Sequence, residues 1–154
     1  MSKISVIGAG AWGTTLSILL AEKGHELVLW VYEKELAGEM KELRENKSFL
    51  PGFQLPESIR ITGDPAESED AEIFVFAVPT QFLRKIAGRF KKAATPKSIF
   101  VSASKGIEEN TLKLPLDILK EELKTENPAA LSGPNLSAEI ARGMPAVSVL
   151  ASKN

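Results

Sequence analysis

The sequence predicts an α/β fold: a Rossmann-like, mostly parallel sheet with helices on both faces. Three observations carry this. An apolar run, Ile4-Ser5-Val6-Ile7, breaks directly into glycines spaced GxGxxG at Gly8, Gly10 and Gly13. Strand-like and helix-like segments then alternate along the chain, the pattern of strands joined by helical crossovers. The strand-like segments are near-continuous apolar runs, as expected for strands covered on both sides.

Residues 3–7 fit a short buried strand. Trp12, Leu16, Leu19 and Leu20 recur at helical spacing through Glu22 and Lys23, and Gly24 fits a left-handed helix stop. Leu27-Val28-Leu29-Trp30-Val31 is a second buried strand, so the first 31 residues read as one βαβ unit. Residues 33–45 are charge-rich, with Leu36, Met40 and Leu43 on one face of a surface helix. Residues 46–56 hold Pro51, Gly52 and Pro56, which predict irregular structure. They also hold Phe49, Leu50, Phe53 and Leu55, so the segment must pack on something, covering the sheet end or shaping a cleft. Ile59-Arg60-Ile61 is a short strand. Asp64-Pro65-Ala66-Glu67 reads as a helix start: a capping Asp, Pro at the first position, and Glu three residues after the cap.

Residues 72–78 form a central strand, and Pro79-Thr80-Gln81-Phe82 opens a helix to about Phe90. Residues 97–103 are a strand ending at Ser104-Lys105-Gly106. Leu112, Leu116, Leu119 and Leu123 mark a helix over 111–124, unless Pro115 delays its start. Ala129-Ala130-Leu131 is a strand stopped by Ser132-Gly133-Pro134-Asn135. Residues 137–142 form a short helix and 146–151 a last strand. The end directly after a strand, with no capping helix, suggests a piece of a longer protein.

Composition narrows the class. The 154 residues suit one domain. With 19 basic against 20 acidic side chains, no charge excess points to nucleic acid or a membrane surface. Cysteine is absent and there is one histidine, so disulfides, thiolate metal sites and His-based metal centres are not expected. No apolar run approaches a membrane span or a signal peptide, and a cytoplasmic location is the expectation.

Each glycine suits a dinucleotide. Gly8 permits a tight turn off the strand. The missing side chain at Gly10 admits a pyrophosphate to the backbone. Gly13 lets the helix pack closely. The helix N-terminus then offers N–H groups and a partial positive charge to the phosphates. After the second strand, Val31 stands where many NAD sites carry an acid. Glu33, two residues on, can reach the ribose hydroxyls or can serve the dipole of the next helix. Tyr32 offers a face for adenine. No Arg follows this strand to neutralise a 2′-phosphate, which favours NAD over NADP.

Ligands of open α/β sheets gather beyond the carboxyl ends of the strands, and three other ends carry unusual residues. Phe82 stands beside the expected cleft, as a cleft wall or as helix packing. Lys105 at a strand tip can hold an anion or polarise a carbonyl, or be a solvated charge. Ser132-Gly133-Pro134-Asn135 is a second glycine turn before a helix, an anion site or only a helix cap.

Six segments occur in a telling order: Gly8-Ala9-Gly10-Ala11-Trp12-Gly13-Thr14, Leu29-Trp30, Phe49-Leu50-Pro51-Gly52, Ala77-Val78-Pro79, Ser102-Ala103-Ser104-Lys105-Gly106 and Ser132-Gly133-Pro134-Asn135. Together they strongly resemble the N-terminal domain of the NAD(P)-dependent glycerol-3-phosphate dehydrogenases, nearly end to end. The resemblance implies hydride transfer between nicotinamide C4 and C2 of the glycerol unit, linking sn-glycerol 3-phosphate with dihydroxyacetone phosphate. It implies that Ala11, Trp12 and Tyr32, beside Gly8, Gly10 and Gly13, line the dinucleotide and that Phe82 flanks it. By the same pattern Lys105 touches both cofactor and substrate, Gly133 and Asn135 meet the substrate, and Ser137 meets the cofactor. Val31-Tyr32-Glu33 looks more like the NAD-using eukaryotic members, which carry an aromatic there; this supports the NAD preference and leaves NADP open.

The family's second, helical domain supplies the principal catalytic Lys and most phosphate ligands, and it is absent here. Residues 1–154 are therefore expected to be a dinucleotide-binding domain that binds cofactor yet turns over little substrate. Homodimerisation of the full-length protein stays open. Two other readings also stay open: the cofactor domain of a hydroxyacid dehydrogenase, and a non-catalytic NAD-sensing module.

Overall fold

The structure is a computed structural model that describes residues 1–93, 95 and 97–153; residue 154, the last of the expected domain, lies outside the described residues. Strand β1 (Lys3–Ile7) runs into the glycine turn and helix α1 (Ala11–Glu22), and strand β2 (Glu26–Trp30) returns parallel to β1. The helix stops as its glycine predicts. Gly24 takes φ +81°, its N–H reaches the Ala21 carbonyl, and the His25 N–H reaches that of Leu20. These are the two bonds that satisfy the last carbonyls of a helix ending in a left-handed residue.

Helix α2 (Lys34–Leu43) buries Leu36, Ala37 and Met40, while the predicted Leu43 is exposed in its last turn. The next segment corrects the sequence expectation. Instead of irregular structure, β3 (Glu45–Asn46) and β4 (Leu50–Gln54) form an antiparallel hairpin. Pro51 is tolerated because a two-stranded ribbon leaves N–H positions that bond to nothing. Gly52 takes φ +84° and donates to Glu45 Oε1 at 2.8 Å.

Strand β5 (Ile59–Thr62) extends the sheet beyond β2. Asp64 caps the following turn by accepting from the Ala66 N–H, but the turn is 3-10 and only four residues long. Glu67 does not reach back to the cap. Its carboxylate takes the Thr62 hydroxyl, and Thr62 Oγ1 accepts from the Asp64 N–H.

Strand β6 (Ile73–Phe76), helix α3 (Thr80–Ala87) with a 3-10 extension to Phe90, and strand β7 (Ile99–Ser102) complete the second crossover. Helix α4 spans Pro115–Leu123, shorter than 111–124. Pro115 fills the first helical turn, where its missing N–H costs nothing, and so sets the start. Strand β8 (Ala129–Ser132), helix α5 (Ser137–Ala141) and strand β9 (Val149–Ala151) close the chain. β9 is shorter than the expected 146–151 and starts four residues after Pro145, which lacks a ladder donor.

The sheet order is β5-β2-β1-β6-β7-β8-β9, parallel throughout except for β9, which pairs antiparallel with β8. Side chains alternate between two layers. Ile4, Val6, Leu27, Leu29 and Val75 face α1, α2 and the hairpin. Ile7, Trp30, Phe74, Phe76 and Phe100 face α3 and α4. The second layer is aromatic: Phe90 meets Trp30, Phe74 and Phe76 edge-on, and Phe74 stacks on Phe100. The order reverses at β1, whose neighbours β2 and β6 lead away in opposite directions, and such a switch point opens a crevice at the strand ends.

Candidate functional site

The glycine turn lies at that crevice. Gly8 takes φ +107°, and a Cβ there would stand 2.7 Å from the Ala77 carbonyl oxygen and 2.6 Å from Val78 Cγ1. Both its backbone conformation and its space require glycine. A Cβ on Gly13 would lie 1.9 Å from the Gly8 carbonyl oxygen, so the first turn of α1 rests directly on the turn backbone. Gly10 differs: nothing lies within 4 Å of where its Cβ would be. Its bareness serves no packing inside the protein and leaves open space over the N-terminus of α1. That N-terminus has no side-chain cap and no acid in its first turn, so its N–H groups and positive dipole end are unspent.

A cavity of about 320 Å³ opens here, within the size range of small-ligand sites. Gly8, Ala9 and Gly10 form its floor beyond β1, Tyr32 and Glu33 stand beyond β2, and Ala77, Val78 and Pro79 stand beyond β6. Phe49 of the hairpin and Phe82, Lys85 and Ile86 of α3 complete the wall. Tyr32, Phe49 and Phe82 are 43%, 51% and 58% exposed. Three half-bare aromatic rings around one recess leave apolar faces for a flat ligand to cover.

The hairpin thus does both things the sequence left open. Leu50 and Leu55 are buried in the core layer, while Phe49 walls the cavity. Asn46 holds the hairpin to the glycine turn. It is fully buried, and its Nδ2 donates to the Ala9 carbonyl at 2.7 Å and to Thr14 Oγ1 at 2.8 Å. Its Oδ1 accepts from the Phe49 N–H at 3.1 Å. Sequence reasoning missed Asn46. The available signal was a small amide beside a proline-rich, apolar loop.

The predicted residues divide between two places. Gly8, Gly10, Tyr32, Glu33 and Phe82 line the cavity. Lys105, Gly133 and Asn135 meet elsewhere, beyond β7 and β8, where Lys105 Nζ donates to the Gly133 carbonyl at 2.9 Å. Asn135 donates its N–H to the same carbonyl and pairs its amide with Ser148 Oγ. Gly133 has a structural duty as well, because a Cβ there would stand 2.5 Å from the Val147 carbonyl oxygen. Ala11 and Gly13 lie in the first turn of α1. Trp12 is partly buried against the α1 layer, and Ser137 opens α5, where its carbonyl accepts from Thr15 Oγ1 at 3.2 Å.

The N-terminus of α3 joins the two places. Thr80 follows the cavity residue Pro79, and its hydroxyl donates to the Lys105 carbonyl at 2.8 Å. Gln81 donates to the Ile107 carbonyl and accepts from the Glu109 N–H. Arg84 binds Glu108 through two nitrogens and also reaches Glu121 and Glu122. Hydrogen bonds from Arg84 and Thr111 push the Glu108 carboxyl down to about 2. The loop carrying Lys105 is therefore clipped to α3 at three points. Lys105 itself has no carboxylate partner among the described residues. A cation resting on a carbonyl keeps its charge available to an anion.

Among the described residues, no group of His, Asp and Glu is placed to hold a metal ion, and no helix is long and apolar enough to cross a membrane.

A doubly wound sheet, a glycine turn under an open helix N-terminus and an aromatic-walled recess at the switch point define a Rossmann-type dinucleotide-binding domain. The family model for the NAD-dependent glycerol-3-phosphate dehydrogenase N-terminus matches residues 3–154, and the chain belongs to that family. A curated glycerol-3-phosphate dehydrogenase [NAD(P)+] of Fusobacterium nucleatum is 43% identical over all of this chain and 47% of its own length. One from Citrifermentans bemidjiense is 47% identical over 93% of this chain and 44% of its own. The crystal structure of the Coxiella burnetii glycerol-3-phosphate dehydrogenase superposes with a TM-score of 0.93 at 31% identity, covering 99% of this chain and 47% of that one. The chain thus spans about half the length of the curated relatives it matches. A ketopantoate reductase of Ralstonia eutropha, 23% identical with a TM-score of 0.68 over 84% of this chain and 41% of its own, shares the fold alone.

Proposed function

We propose that this chain is the cofactor-binding half of a glycerol-3-phosphate dehydrogenase, holding NAD(H) or NADP(H) for hydride exchange between sn-glycerol 3-phosphate and dihydroxyacetone phosphate. The observation that carries the reading is the open space at Gly10 over the uncapped start of α1, inside an aromatic-walled recess. A pyrophosphate there gains the helix N–H groups and displaces no side chain. Tyr32 and Glu33 take the adenosine end, and Ala11, Trp12 and Gly13 present the backbone to the phosphates. Phe82 flanks the dinucleotide, and Ser137 approaches it from α5. When bound, the cofactor supplies the hydride; this chain's residues position it and exclude water from its apolar faces.

Lys105, with Gly133 and Asn135, meets the phosphorylated substrate. Reducing a ketone also needs a proton donor. The helical domain that this reading places outside residues 1–154 supplies that donor and most phosphate ligands. The isolated chain is accordingly a binder with little or no turnover. The same reading places the full-length protein in the cytoplasm and leaves it free to form a homodimer.

Calorimetric titration of the chain with NADH tests the proposal. Saturable binding that Gly10→Ala weakens at least tenfold is expected; no binding, or binding indifferent to that substitution, defeats it.

A further inference from the structure

We propose that Arg89 is the residue that receives the 2′-phosphate of NADP(H), supplying from the 3-10 extension of α3 the cation that the end of β2 lacks. This rests on the reading that Tyr32 faces the adenosine. The residues after β2 are Val31, Tyr32 and Glu33, none of them cationic. Lys34 follows, but it lines a separate recess with Lys41 and Asp64. A 2′-phosphate beside Tyr32 would find only the Glu33 carboxylate on its own strand end, and would be repelled.

The opposite wall changes this. Phe82, Lys85 and Ile86 line the cavity from α3, and Arg89 continues the same helical face one turn on. The Arg89 guanidinium stands 4.9 Å from the centre of the Tyr32 ring and 6.0 Å from that of Trp30. Stacking on the ring orients the guanidinium while leaving its N–H fork unspent, the arrangement that suits a bidentate phosphate contact.

Arg89 differs from Arg84 and Lys91, the ion-paired cations of this segment. Arg84 is held by Glu108, Glu121 and Glu122, and Lys91 by Glu122. Among the described residues, neither Arg89 nor Lys85 has a carboxylate within ion-pairing distance. Arg89 is exposed, and among the described residues it is tied only to the aromatic rings of Tyr32 and Trp30. Two opposite charges thus flank Tyr32. Glu33 suits a free ribose diol, and Arg89 suits a phosphorylated one, so cofactor choice is set by their balance.

The test titrates the chain and its Arg89→Gln and Arg89→Lys variants with NADH, NADPH and 2′,5′-ADP. The ratio of NADPH to NADH affinity should fall about tenfold in Arg89→Gln, the cost of one charge-assisted phosphate contact. 2′,5′-ADP should weaken in parallel, and Arg89→Lys should recover part of the loss. An unchanged ratio overturns the assignment. An equal loss for both cofactors overturns it too, because Arg89 would then only brace the Tyr32 ring. If the unmodified chain binds no cofactor at all, the cavity reading fails and the assignment falls with it.

Discussion

A Cβ at Gly13 would stand 1.9 Å from a backbone oxygen, whereas one at Gly10 would meet no heavy atom within 4 Å. The same substitution at the two sites must therefore act in different ways. Gly13→Ala should destabilise the fold by about 3 kcal/mol or more, since a backbone atom cannot step aside as a side chain can. Gly10→Ala should leave the urea midpoint within experimental error and reduce NADH affinity. Equal unfolding midpoints for the two variants would show that the turn does not bear on α1 as described. Asn46 gives a second residue-scale prediction. Asn46→Ala strands the Phe49 N–H, leaves the Ala9 carbonyl only the longer 3.4 Å bond from Thr14 Oγ1, and should cost about 1–3 kcal/mol in denaturant titration. Because the glycine turn loses its brace, NADH affinity should fall as well, and an unaltered affinity would confine Asn46 to stability. Gly8 and Gly13 were legible in the sequence because backbone conformation at the one and close packing at the other exclude a side chain, and Gly10 because it completes their spacing. Asn46 was not, because a buried amide shows its purpose only through partners 32 and 37 positions away.

The clip between α3 and the loop bearing Lys105 belongs to the scale of elements. Arg84 fastens Glu108 on the loop and Glu121 and Glu122 on α4 with one guanidinium. Glu108 is held near 2 in the folded chain against an ordinary 4.5, so its contribution is fully present above about pH 4.5 and is lost as pH falls toward 2. Glu121 and Glu122 are also held below the usual carboxylate range, by Lys113 and Lys91 in turn and by Arg84. Stability should therefore decline with acid across that window, and Glu108→Gln should flatten the decline without abolishing it. Urea midpoints measured between pH 5 and 2.5 check this; an identical slope in the variant would show that the clip carries no proton linkage. The elements were mostly legible, since apolar runs and helical spacing mark β1, α1, β2, β6 and β7 directly. The hairpin was not. Pro51 and Gly52 argue against a strand on local grounds, and only the antiparallel partner at Glu45 and Asn46 makes one possible. The start of α4 was half legible: Pro115 offered either an early position in a longer helix or a delayed start, and the structure takes the second.

At the scale of the whole molecule, the sheet order brings the ends of β1, β2 and β6 together and leaves Lys105, Gly133 and Asn135 at a neighbouring site beyond β7 and β8. The division predicts separable functions. In a steady-state assay with NADH and dihydroxyacetone phosphate, residues 1–154 should show cofactor binding with turnover near background. Substantial turnover would mean that this chain holds its own proton donor. In a full-length relative, replacing the residue equivalent to Lys105 by Ala should cripple turnover while NADH still binds. An unchanged rate there would remove Lys105 from the substrate site.

By itself the sequence determined the fold class, the glycine turn and the family, because these rest on local demands: alternating periodicity, backbone conformations open to glycine alone, and short segments in a fixed order. The tertiary structure decided what depends on distant residues meeting in space. It turned a proline-rich loop into a hairpin with Phe49 in the cavity wall, and it set a buried Asn46 under the turn. It also placed Arg89 on Tyr32, across the chain from a strand end that carries no cation of its own. Side-chain charge acts through distance rather than along the chain, so a cation 57 positions from Tyr32 can complete a site that the residues around Tyr32 leave unbalanced.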